Sequence, residues 1–275
     1  MSGVGIDRVH YGTFKRGSRT YFNSSLFFPA EVRRQVFALY GFVRAADDFV
    51  DATPQDAEGF RAFVARYRRA LGGEQTGDAI IDAFVQLERR GEFDPAWTEA
   101  FLHSMELDLS KRDYHTLAET LEYVYGSAEV IGLYMTRIME LDPAAEPYAQ
   151  RLGRSMQYVN FIRDVAEDHA LGRRYLPLAD SGLLSLEESH ARSRPEAFGA
   201  FLRHHLSLYK GWQKEAEEGY RYIPRRLLVP IETAADMYDW TARRIERRPL
   251  VVFERKVKPP RARILLQVLL NALGA

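Results

Sequence analysis

Apolar side chains recur every third or fourth position through almost the whole chain, and strand-like alternation is hard to find. The segment "PAEVRRQVFALYGFVRAADDFVD" opens on Pro29, tolerated in a first helical turn, with Glu31 close behind, and runs into the breaker "ATPQD". "QDAEGFRAFVARYRRAL", "GDAIIDAFVQLERRG" and "DPAWTEAFLHSMELDLS" follow, closed by Gly or opened by Asp-Pro. The segment "TLAETLEYVYGSAEVIGLYMTRIMEL" ends at "DPAAEP", and "PYAQRLGRSMQYVNFIRDVAEDHA" ends at "LGRRYLP". Further helices are expected near 195–221, 224–247 and 260–273. Linkers are short, and there is no repeat or low-complexity tract. The pattern predicts an all-α fold with residues 1–275 forming one domain.

Composition narrows the function. Thirty-eight basic and 38 acidic residues balance, so nothing global points to nucleic acid or an anionic surface, and any electrostatic function must be local. The absence of cysteine excludes disulfides, thiolate metal sites and cysteine nucleophiles. The N-terminus lacks the apolar core of a signal peptide, and no run approaches the ~20 apolar residues of a membrane span. A cytoplasmic protein is expected, at most peripheral at a membrane. No sequence feature sets its oligomeric state.

"RAADDFVD" places three aspartates at the end of an apolar helix. Arg44, Asp47 and Asp51 share a face that Phe37 and Tyr40 continue, with Asp48 beside it. Two carboxylates one turn apart repel, and burial raises that cost unless a cation joins them. Hard carboxylate oxygens suit Mg²⁺; the alternative is a solvated face. Asp78 and Asp82 in "GDAIIDAF" are an internal control with the same spacing, in line with Gln86 and Arg89, and this polar stripe is expected to be solvated.

A second region carries more weight. "QYVNFIRDVAED" puts Gln157, Asn160, Asp164 and Asp168 on one face of a helix whose other residues include Val159, Phe161, Ile162 and Val165. Much of that helix must be packed, so the polar stripe is expected to look into a cavity. An amide such as Asn160 in mid-helix is poor helix material and good oxygen-ligand material. Arg163 adds a cation beside Asp164. The alternative is a buried polar network between helices. Two such faces suggest a cavity holding Mg²⁺ and a polyphosphate, with apolar walls around a greasy group.

On these residues the chain resembles the squalene/phytoene synthases. The likeness runs from "GSRTYFNSSLFFP" through "ALYGFVRAADDFVD", "MELDL" and "EYVYGSAEVIGLYM" to "QYVNFIRDVAEDHALGRRYLP". It implies the helical isoprenoid-synthase fold and Mg²⁺-dependent head-to-head condensation of two prenyl diphosphates through a cyclopropyl diphosphate, with Mn²⁺ as an alternative ion. It implies that Asp47, Asp51, Asp164 and Asp168 ligate the metal, with Asn160 supporting and Asp48 a third member of its cluster. Arg44 and Arg163 would contact diphosphate, as would Ser18 and Arg19. Tyr123 would face the reacting carbons; Tyr40, Gln157, Tyr238 and Arg261 complete the expected substrate contacts, with a surface basic patch as the alternative for the last two. Phytoene from two C20 substrates is the favoured product. Squalene or dehydrosqualene from two C15 substrates is the alternative, with NADPH required only for squalene.

The chain departs from the family pattern at Val124, where cysteine is usual, and at Glu129, where glycine is usual. Glu106 and Leu107 alter the "MELDL" element, and Thr20 replaces a frequent serine. Glu129 is expected either to reshape the cavity wall or to point outward. Two other classes compete. A di-iron bundle needs paired Glu-x-x-His motifs, and only Glu187–His190 appears. A non-catalytic assembly partner would be expected to lose carboxylates from one pair, and both are intact.

Overall fold

The structure is a computed structural model that describes residues 25–274; Ser18, Arg19 and Thr20 lie outside the described residues. Helices follow one another as α1 (Ala30–Val50), α2 (Ala57–Leu71), α3 (Ala79–Arg90), α4 (Pro95–Ser110) and α5 (Leu117–Val124). A π-helical turn (Tyr125–Glu129) leads into α6 (Val130–Ile138), then α7 (Glu146–Arg163) and α8 (Val165–Ala170). The short α9 (Glu188–Ser193) precedes α10 (Pro195–Glu217), α11 (Arg225–Arg247), α12 (Val251–Glu254) and α13 (Arg261–Leu273). No strand occurs among the described residues; one bridge joins Asp113 to Arg174.

The boundaries follow local chemistry. Asp94 accepts from the Ala96 amide at 2.9 Å with Pro95 behind it, as the Asp-Pro signal predicts. Asp56 and Thr116 cap α2 and α5 through the amides of Gly59 and Glu119. Asp78 caps α3, accepting from Ile80 and Ile81. Asp82 accepts from the Thr76 hydroxyl at 2.8 Å and the Gly77 amide at 3.1 Å. These two carboxylates are half-buried and bonded, rather than solvated as expected; Gln86 and Arg89 are exposed.

Two expected helices are interrupted. The segment 116–141 carries the π-helical turn, where Gly126 lies against the Ala100 carbonyl so closely that a Cβ would sit 2.1 Å from its oxygen. The second aspartate segment breaks at Asp164 (φ −99°, ψ 15°). Its face persists across the break, because the Asp164 amide still donates to the Asn160 carbonyl and the Asp168 amide to that of Asp164, each at 2.8 Å.

The core has two parts. One gathers α1–α4 and α6 around Phe42, Phe63, Phe84 and Tyr134; the other gathers α5, α7, α10 and α11 around Tyr158, Phe161 and Leu206. α7 packs against α6, α10, α11 and the π-helical turn. Gly153 makes the close approach to that turn, since a Cβ there would lie 2.3 Å from the Ala128 oxygen. Glu129 neither lines the cavity nor points outward. It is buried, and its carboxylate accepts from Arg154 Nε at 2.6 Å. Val124 is fully buried.

Candidate active site

α1 and α7 both line a cavity of about 400 Å³. Its interior is largely apolar, including Phe101, Met105, Ile131, Met135 and Leu152, while Tyr40, Arg44, Asp47, Gln157, Asn160, Arg163 and Tyr238 supply its polar side. Of the stripe expected to look into a cavity, Gln157 and Asn160 line this one and Asp164 and Asp168 do not.

Asp47 and Asp48 sit in the last turn of α1 and Asp51 just past it, where the helix dipole disfavours negative charge. Arg44 compensates through Nη1 to Asp47 at 2.6 Å and Nη2 to Asp48 at 2.5 Å. Poor solvation, then the charge of Asp51, push the Asp47 pKa up to about 7 despite Arg44. Asp48 is exposed, with 56% of its side chain accessible, and does not line the cavity.

Asp51 is held by a residue the sequence reading missed. Arg173 is buried, donates through Nη1 to Asp51 at 2.8 Å and through Nη2 to the Val50 carbonyl at 2.6 Å. Its Nε lies 4.0 Å from Asp108, which accepts from Tyr123 at 2.7 Å and Tyr175 at 2.5 Å. Backbone pairing fixes this unit: Arg174 donates to the Arg112 carbonyl and Tyr114 to the Arg174 carbonyl. The available signal was the "GRRYLP" run, whose two arginines stand directly before apolar residues.

Just past α7, Asp164 is paired with Arg163, whose Nε donates at 2.7 Å, and lies 3.5 Å from Lys256. Burial, then Asp164, hold the Asp168 carboxyl well above its usual range, opposed by Arg173; Asp108 and Asp51 push in the same direction as burial. Asp51 thus acts on both Asp47 and Asp168, so the two aspartate groups adjoin electrostatically. Asp51, Asp164 and Asp168 do not line the main cavity; Asp168 lines a second one of about 410 Å³ with Arg173 and Tyr175. Lys256 and Lys258, also missed from sequence, stand on the main cavity wall. Arg261 is exposed at the start of α13 and is not among the cavity-lining residues.

Tyr123 lines the cavity with its ring while its hydroxyl is committed to Asp108. Its ring packs 5.0 Å from Tyr175 and 6.0 Å from Phe161, part of an aromatic wall. Burial holds the Tyr40 and Tyr238 hydroxyls above their usual range, so both stay neutral.

The donor set fits a hard divalent cation. Asn160 Oδ1 is buried without a partner among the described residues, and the carboxylates crowd one another at a cost a cation would relieve. No group of three or more carboxylates and imidazoles closes into a cage among the described residues. Mg²⁺ does not require one, since it takes one or two carboxylates and completes its shell with water and substrate phosphates.

Comparison with known proteins accords with this geometry. The profile of the squalene/phytoene synthase family matches residues 14–263. A 15-cis-phytoene synthase of Enterobacter agglomerans is 31% identical over 236 residues, covering 81% of this chain and 80% of that protein. One from a Paracoccus species is 28% identical over 263 residues, covering 90% and 84%. The fold matches a ligand-bound dehydrosqualene synthase with a TM-score of 0.86 at 20% identity, covering 98% of this chain and 97% of that one. It matches a squalene synthase from Alicyclobacillus acidocaldarius at 0.78 and 22%, covering 88% and 94%. With a profile match across nearly its whole length and an all-helical fold to go with it, the chain belongs to the squalene/phytoene synthase family and is a prenyltransferase of that type.

Proposed function

We propose that the chain condenses two geranylgeranyl diphosphates head to head, through a cyclopropyl diphosphate, to phytoene. The observation that carries this reading is the apolar cavity of about 400 Å³ whose polar side holds Asp47, Asn160, Arg44 and Arg163. The relatives named phytoene synthase support the C20 substrate.

Asp47 and Asp51 on one side, and Asn160, Asp164 and Asp168 on the other, would hold Mg²⁺ or Mn²⁺, with Asp48 at the margin. When bound, the ions supply positive charge that neutralises a departing diphosphate. Arg44 and Arg163 place fixed positive charge where that negative charge develops, and Lys256 and Lys258 extend it. Gln157 and Tyr238 orient the polar head. Tyr123, with Phe101 and Tyr40, presents ring faces to an allylic cation. The apolar lining keeps water from the cation long enough for the second double bond to reach it.

The test is mass spectrometry of products from the purified protein with Mg²⁺ and all-trans C15 or C20 diphosphate, with and without NADPH. A C40 hydrocarbon from the C20 substrate, indifferent to NADPH, is expected. A C30 product instead would replace the reading with squalene or dehydrosqualene synthesis, separated by NADPH dependence. A folded protein giving neither would favour a non-catalytic partner.

A further inference from the structure

The most apolar exposed surface lies away from the cavity, on α13. This helix packs antiparallel on α11: Asn271 Nδ2 donates to Asp236 at 2.8 Å, and Arg263 sits over the Trp240 ring at 5.7 Å. Its inner face is Ile264, Val268 and Asn271. Its outer face is leucine: Leu265, Leu266, Leu269, Leu270 and Leu273 are between 38% and 81% exposed. No charged side chain occurs from 265 to 273. A solvated outer face ordinarily carries charge, so this one is built for an apolar contact.

A cleft of about 200 Å³ opens beside it, lined by Trp240, Arg243, Arg244, Arg247 and Arg263. Asp239 pairs with Arg243. Arg244, Arg247 and Arg263 make no ion pair with a carboxylate among the described residues. In a chain with equal numbers of basic and acidic residues, this is a local concentration of positive charge next to leucines and an indole ring.

We propose that the outer face of α13 and the arginine cleft around Trp240 dock the protein on an anionic lipid surface. The leucines enter the acyl boundary, Trp240 sits at headgroup level, and the arginines bind lipid phosphates. At 13 residues α13 is about 20 Å long, too short to cross a hydrocarbon core of about 30 Å, so it lies in the plane. No described helix is long and apolar enough to span a membrane. Charge complementarity favours lipid over a second copy. A symmetric contact through this face would bring two arginine clefts together, like charge against like. The opposite face of α11, through Pro230, Ile231, Ala234 and Tyr238, lines the main cavity, so docking sets the cavity one helix away from the membrane. This inference rests on surface chemistry and does not depend on which prenyl substrate is used.

The test is flotation of the full chain with phosphatidylcholine vesicles, with and without a one-third share of phosphatidylglycerol. Binding to the anionic vesicles is expected, falling several-fold in about 0.5 M salt. The double variant Leu266→Ser/Leu269→Ser should lower the bound fraction roughly tenfold while circular dichroism and turnover of detergent-dispersed substrate stay unchanged. Arg244→Glu/Arg247→Glu, which leaves the leucines in place, should lose the preference for anionic vesicles. Failure of the full chain to float, or leucine variants that float like the parent, would overturn the proposal. So would a dimer in light scattering that the leucine variants split.

Discussion

Asp47/Asp51 and Asp78/Asp82 share one spacing and have opposite fates. Asp78 stands at the start of α3, where backbone amides lack partners, and its carboxylate takes two of them; Asp82 takes three donors from the preceding turn. Asp47 and Asp51 stand at the end of α1, where the backbone offers carbonyls and no spare donors. Their charge must be met from elsewhere: by Arg44, by Arg173 from over a hundred residues away and, in the proposed reaction, by a metal. The same motif is a cap at one helix end and an arginine-paired carboxylate cluster at the other.

The comparison is broken most sharply by parallel truncation. Asp47→Ala should lower turnover by about 10³-fold with helical signal retained, read by product formation and circular dichroism. Asp82→Ala should leave turnover within about twofold. Equal losses from both would remove the distinction between the two pairs.

Arg173→Met tests whether α1's carboxylates depend on a distant cation. It leaves Asp51 and Asp108 without their buried partner and should cost about 3–5 kcal/mol in urea unfolding, with activity falling in parallel. A loss below about 1 kcal/mol would mean that the pairing is incidental.

His205 shows what burial does without an opposite charge. It shares a 2.6 Å hydrogen bond with Tyr158, and burial, with help from His204, pushes its pKa down to about 4. The unfolded chain, with a pKa near 6.5, binds the proton more readily. The stabilising contribution is therefore complete above about pH 6.5 and is lost as pH falls toward 4. Between about pH 7 and pH 5 this amounts to about 2 kcal/mol. Urea unfolding at both values should show the parent gaining about 2 kcal/mol more than His205→Gln between pH 5 and pH 7; an identical pH dependence in the two would assign the effect to other groups.

The smallest effect belongs to the cap. Asp78→Ala should cost about 1 kcal/mol, or about 2–4 °C in Tm, and leave any Mg²⁺-induced rise in Tm intact, whereas Asp47→Asn should abolish that rise.

Much of this was readable beforehand because it is local. Asp94-Pro95 starts a helix by satisfying adjacent amides, and the helices near 224–247 and 260–273 begin and end within a residue or two of expectation. The inward-looking Gln157 and Asn160 were legible because Tyr158, Val159, Phe161 and Ile162 around them are apolar and buried. Arg173, Lys256 and Lys258 were not, since their roles depend on chain segments brought alongside, and nothing within a few residues distinguishes them from surface cations. Glu129 was misread for the same reason: its partner Arg154 lies on another helix.

By itself, the sequence determined that the chain is helical, where most helices begin and which carboxylates share a face, because those follow from the helical repeat and from end groups within a turn. Only the tertiary structure decided which carboxylates are opposed by a buried arginine, which hydroxyls are committed to Asp108, and which leucines stay outside. Those are questions of desolvation and charge, set by what the fold places within a few ångströms rather than by what precedes in the chain.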